Sequence, residues 1–84
     1  MQLTYLQDPG HGWLIAPAAL VRQLGCTPSR YSFIDHAADL AYLEEDCDAG
    51  NFMHALRLHG ITPEIIERHV PGDAACRALP RWTN

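Results

Sequence analysis

The chain contains no lysine. All six of its basic residues are arginines, and none lies between Arg30 and Arg57. Arginine suits bidentate pairing with carboxylate or phosphate, but six scattered copies make no basic stripe, which argues against direct contact with nucleic acid. Cysteine is also sparse. Cys26, Cys47 and Cys76 are odd in number, widely spaced and free of any Cys-x-x-Cys pair, a pattern unlike a disulfide framework or a structural zinc site. No apolar run approaches the length of a membrane span. The first residues, Met-Gln-Leu-Thr-Tyr-Leu-Gln-Asp, lack the basic region and apolar stretch of a secretory signal. These absences lead to the expectation of a soluble intracellular protein with reduced thiols, without membrane or nucleic-acid contacts.

What is present points to one small folded domain. The 84 residues are 48% hydrophobic and 19% charged, too apolar for a disordered chain, and a domain of this length has a thin core. Its charge is unevenly placed. Tyr31 to Leu56 holds six of the ten carboxylates (Asp35, Asp39, Glu44, Glu45, Asp46 and Asp48), giving −6, while the remainder sets four acids against six arginines, a balance of +2.

Periodicity divides the chain into seven elements. Gln2 to Leu6 and Gly12 to Ala16 read as strands joined by the Asp8-Pro9-Gly10 turn. Pro17 suits a first helical residue, Leu20, Val21 and Leu24 form the inner face of a short helix, and Gly25 is its left-handed stop. Tyr31 to Asp35 and Leu40 to Glu44 read as a hairpin around His36-Ala37-Ala38-Asp39. Asp46 is the expected N-cap of a second helix, with Asp48 in its first turn. Ala49, Phe52, Met53 and Leu56 form that helix's buried stripe, and Gly60 ends it. Thr62 to Val70 reads as a last strand, with Pro63 suggesting an edge position. The tail from Asp73 either packs through Trp82 or frays. The order ββαββαβ predicts an α+β fold over residues 1–84, a mostly antiparallel sheet with both helices on one face, the core spanning 1–72.

Candidate chemistry is limited. Cys47 falls in the first turn of the second helix, where the helix end lowers a thiol pKa, but four neighbouring carboxylates oppose that effect. The five histidines include no pair at the i, i+4 spacing of a helical metal site, although His36 can be drawn with Asp35 or Asp39. The acids could serve as a catalytic pair, yet a run at a strand end and helix start more commonly faces solvent, as a helix entry or as an electrostatic face for a basic partner. Glu44 and Glu45 are adjacent on the strand, so one of them can point inward. Trp13 reads as core.

Two stretches carry a resemblance. His11-Gly12-Trp13-Leu14 with Pro17 beyond it, and Tyr42-Leu43-Glu44-Glu45-Asp46-Cys47-Asp48-Ala49 followed by the Phe52 to Gly60 helix end, resemble a family of small uncharacterised accessory proteins of bacterial plasmids and prophages. The likeness covers roughly residues 8 to 70; the chain departs from the pattern at His36-Ala37-Ala38-Asp39 and in its tail. It implies an inhibitor of host defence, an anti-CRISPR protein directed at a type I surveillance complex in the host cytoplasm. The expectation is therefore a non-enzymatic binding protein with no cofactor, no metal and no catalytic residues. Its partner is the basic nucleic-acid groove of a host protein, contacted by Asp35, Asp39, Glu44, Glu45 and Asp48. The alternatives are a small enzyme or metal protein built on Cys47 with nearby His and Asp residues, and a homodimeric accessory module.

Overall fold

The computed structural model describes residues 1–84. The elements are β1 (Gln2–Gln7), β2 (Gly12–Pro17), α1 (Ala18–Gln23), β3 (Phe33–Asp35), β4 (Leu40–Glu44), α2 (Asp48–Leu58) and β5 (Glu64–His69), with a short 3-10 turn at Ala75–Ala78. The five strands form one sheet in the order β3-β4-β2-β1-β5. Three pairings are antiparallel, and β5, reached after α2, runs parallel to β1. The α+β class and element order match the sequence expectation. Strand ends differ: β3 begins at Phe33 and not Tyr31, β5 spans Glu64–His69, and Pro17 closes β2 instead of opening α1.

The period-two alternation of the strands assigns the sheet two faces. Leu3, Leu14, Ala16, Ile34, Ala41 and Leu43 point to the helix side, where they meet Ala18 and Val21 of α1 and Ala49, Phe52 and Leu56 of α2. That stripe is the one the i, i+3, i+4, i+7 spacing gave, with Met53 at its half-buried margin. Gly25 and Gly60 both have positive φ, as helix stops. The opposite face carries Leu6, Trp13 and Phe33, and the tail covers part of it with Ala74 and Cys76.

Two sets of bonds hold the tail in place. Its last residues run beside β3: the Ile34 N–H donates to the Pro80 carbonyl at 2.9 Å and the Trp82 N–H to the Ser32 carbonyl at 2.8 Å. Trp82 thereby enters the helix-side core at 3% exposure, with the Arg22 guanidinium 4.8 Å above its ring. Closer to the turn, Asp8 binds the tail's start. Its Oδ2 accepts the Ala74 N–H at 2.9 Å and Arg77 Nε at 2.7 Å, and its Oδ1 accepts a second Arg77 nitrogen at 2.9 Å. Oδ1 also accepts the Gly10 and His11 N–H groups, so one carboxylate fixes both the β1–β2 turn and the tail. Of the two alternatives for residues 73–84, the packed one holds.

Candidate functional site

The acidic segment folds into three distinct settings rather than one face. At the β3–β4 turn, Asp35 Oδ1 accepts the Ala38 N–H at 3.1 Å and Asp39 takes the left-handed conformation, φ 55°. Both are turn-forming roles that Asp performs with its short side chain. At the other end of β4, Glu45 and Asp46 are exposed. Six residue steps along the strand separate Asp39 from Glu45, about 20 Å. Asp35 and Asp39 therefore lie apart from the acids of the helix start.

Glu44 and Asp48, expected among the partner-contacting acids, are buried at 4% and 5% exposure. Glu44 is the side chain that points inward. Its Oε2 accepts the Asp46 N–H at 2.7 Å, and its Oε1 accepts the Cys47 and Asp48 N–H groups at 2.8 and 2.9 Å. A negative charge thus sits against the unpaired donors at the start of α2, where the helix dipole favours it. This corrects the N-cap assignment: Cys47 occupies the cap position, no side chain of that residue caps, and Glu44 performs the task given to Asp46. Asp48 faces the other way. Its Oδ2 accepts the Ser29 N–H at 2.8 Å, the Ser29 hydroxyl at 2.7 Å and the Ser32 hydroxyl at 2.6 Å. Ser32 Oγ in turn accepts the Glu44 N–H at 3.0 Å. Ser32 thus links the Asp48 carboxylate to the Glu44 main chain, the Glu44 carboxylate holds the Asp48 N–H in return, and together these bonds tie β4, α2 and the loop before β3.

Around this buried pair lies an exposed rim. His11 places Nδ1 3.3 Å from Glu45 Oε1 and Nε2 3.9 Å from Glu44 Oε2. The Tyr5 hydroxyl donates to Glu45 Oε2 at 2.8 Å. Burial, then this hydrogen bond and the Glu45 charge, push the Tyr5 phenol up to about 12. Gly12 permits the approach: a Cβ there would collide with the Tyr5 ring and hydroxyl. On the adjoining side, Ser29, Tyr31, Glu44, Asp46 and Cys47 line a shallow concavity of about 450 Å³. Tyr31 is 62% exposed, an aromatic ring held out to solvent beside Asp46.

Two groups have the donors for a metal: His11, Glu44 and Asp46, and Glu44, Cys47 and Asp48, each with potential ligand atoms within 4.8 Å of one another. Glu44 is common to both; its Oε1 already accepts two N–H groups and its Oε2 one, while Asp48 Oδ2 is held by Ser29 and Ser32, so both carboxylates are primarily engaged in fixing the helix start. His36, drawn from the sequence with Asp35 and Asp39, belongs to neither group. Cys47 is exposed and its Sγ lies 3.5 Å from Asn51 Nδ2, with no histidine among its hydrogen-bond partners. Cys26 and Cys76 have thiols raised by burial, Cys76 to about 11, which keeps them protonated and weak as nucleophiles.

Sequence reasoning missed His11, Tyr5, Ser29, Ser32 and Tyr31 as members of this region. His11 had the one available signal, since it belongs to the His-Gly-Trp-Leu stretch that pairs with β4. Comparison with family models, with curated proteins and with solved structures finds no match for this chain.

Proposed function

We propose that this chain is a non-enzymatic binding protein that docks on an arginine-bearing basic surface through the concavity at the start of α2. The observation that carries the reading is the pairing of an exposed ring, Tyr31, with the exposed carboxylate of Asp46 across one shallow depression. A guanidinium can stack on the ring and pair with the carboxylate at once, and tyrosine gives contact area at small entropic cost. The chain's own Arg30 guanidinium lies 5.7 Å from the Tyr31 ring, a contact of the same kind. Glu45, next along the chain, adds negative potential that steers a basic partner. Glu44 and Asp48 act here as scaffold, fixing the helix start from which Asp46 and Cys47 project.

In its specific form the proposal follows the family resemblance: the partner is the nucleic-acid groove of a type I CRISPR surveillance complex, and occupancy by this chain excludes DNA. Expression in trans during a CRISPR-interference assay tests it. Restored plaque formation by the wild type, lost in Tyr31→Ala with the melting temperature unchanged, is the expected result. Interference unaffected by the wild type removes the specific form. Direct binding to basic nucleic-acid-binding proteins that does not respond to Tyr31→Ala removes the concavity as the contact.

A further inference from the structure

The two edges of the sheet are unequal. The β3 edge is closed by the chain itself, through the Ile34–Pro80 and Ser32–Trp82 main-chain bonds and a bridge between Phe33 and Arg81. The β5 edge is not. All six residues of β5 are exposed, and two large β-branched side chains, Ile65 and Ile66, are 39% and 40% accessible. An exposed strand edge is a template for pairing with another chain.

The register with β1 fixes which groups face out. The Glu64 N–H donates to the Met1 carbonyl and the Val70 N–H to the Gln7 carbonyl, each at 2.9 Å, and Ile66 lies opposite Thr4. By the alternation of a parallel ladder, Glu64, Ile66 and Arg68 turn their main-chain groups toward β1, and Ile65, Glu67 and His69 turn theirs to the open edge. An antiparallel partner must therefore pair outward-facing residues with outward-facing residues, which leaves only registers whose two-fold axis passes through a residue.

We propose that β5 pairs antiparallel with β5 of a second copy of this chain, about a two-fold axis at Ile66. In that register Ile65 and Glu67 exchange main-chain hydrogen bonds with Glu67 and Ile65 of the second copy. Ile66 meets Ile66 of the second copy at the close, non-hydrogen-bonded position, and Glu64 faces Arg68 of the second copy on both sides of the axis. The strand Glu-Ile-Ile-Glu-Arg-His is thus self-complementary in charge. Moving the axis to Glu67 sets two Glu67 carboxylates against each other, and moving it to Ile65 sets Glu64 against Ile66 and leaves Arg68 without an acid. The pairing also continues a row already in the sheet: Phe33, Tyr42, Ile15, Thr4 and Ile66 lie side by side on the face opposite the helices. Joining two copies carries that row across ten strands. The pairing is also self-limiting: the tail already covers each β3 edge, so once the two β5 edges meet neither edge of the sheet is left as a template for stacking. This inference is independent of the basic-surface reading, since β5 contributes nothing to the concavity.

Sedimentation equilibrium on the full chain tests it, with circular dichroism to confirm that each variant is folded. The wild type is expected to shift with concentration from its 9.4 kDa monomer mass toward twice that value. Glu64→Arg sets arginine against Arg68 of the second copy, and Arg68→Glu sets glutamate against Glu64, so each variant alone should dimerise roughly tenfold more weakly or worse. Mixed in equal amounts, the two variants restore both opposite-charge contacts and should form a heterodimer. A wild type that stays monomeric at about 1 mM protein, single variants that dimerise like the wild type, or a mixture that does not associate would each overturn the proposal.

Discussion

Replacing Glu44 by alanine should unfold the start of α2 and take much of the domain's stability with it. Three main-chain donors lose their acceptor. A hydrogen bond to a charged acceptor contributes about 1.5–3 kcal/mol, and a buried donor left unpaired costs about 1–3 kcal/mol. Asp46 and Cys47 are exposed, so water can take over their N–H groups at small cost. The bond to the Asp48 N–H is buried, and that donor stays orphaned. The total comes to about 3–4 kcal/mol, against roughly 4–12 kcal/mol for a domain of this length. At about 4–8 °C per kcal/mol, the midpoint should fall by roughly 12–30 °C. Glu44→Gln keeps the size and one carbonyl oxygen, and should lose about half as much. Asp46→Ala, in contrast, removes an exposed side chain with no capping bond and should stay within about 0.5 kcal/mol of the wild type. Thermal melts of these three variants decide the matter. Glu44→Ala melting within about 3 °C of the wild type, or Asp46→Ala melting as low as Glu44→Ala, would refute the assignment of the cap to Glu44.

Three further outcomes follow from the tail and the rim. The Arg77 guanidinium and then the Ala74 N–H hold the Asp8 carboxyl well below the usual carboxylate range, so this link's stabilisation is present above about pH 4 and is lost as pH falls through the folded value; melts from pH 7 to 2 should show the gap between wild type and Asp8→Asn closing only in the acid range. Tyr5, raised to about 12, should give a phenolate absorbance step at that strongly alkaline pH, and Glu45→Gln should bring the step down. Trp82→Ala should cost about 3–5 kcal/mol, as for a large core side chain, and hydrogen exchange should show the Ile34 and Trp82 amides losing protection together.

The local grammar of the fold was legible in the sequence. Gly25 and Gly60 marked helix ends because only a residue without Cβ enters positive φ at little cost, and Pro63 marked the start of an edge strand because it has no N–H to donate. The α2 stripe was legible because burial repeats at the helical period. The acidic segment was misread because charge density along a chain does not say which carboxylates point inward. Glu44 and Asp48 are buried by partners that lie in other elements, Ser29 and Ser32 before β3, or that are main-chain groups with no residue signature. The Asp8–Arg77 pair spans 69 positions and had no local trace. The open edge and its charge pattern became readable only once β5 was placed beyond β1, which no periodicity dictates.

The most direct test of the binding account is the association rate of the chain with a purified type I surveillance complex, measured at low and high salt. Wild type should associate fast at low salt and slow markedly as the acids are screened. The Glu45→Gln/Asp46→Asn double variant, folded and with Glu44 intact, should associate roughly tenfold more slowly at low salt and converge with the wild type at high salt. An association rate that ignores both salt and the double variant would contradict the account.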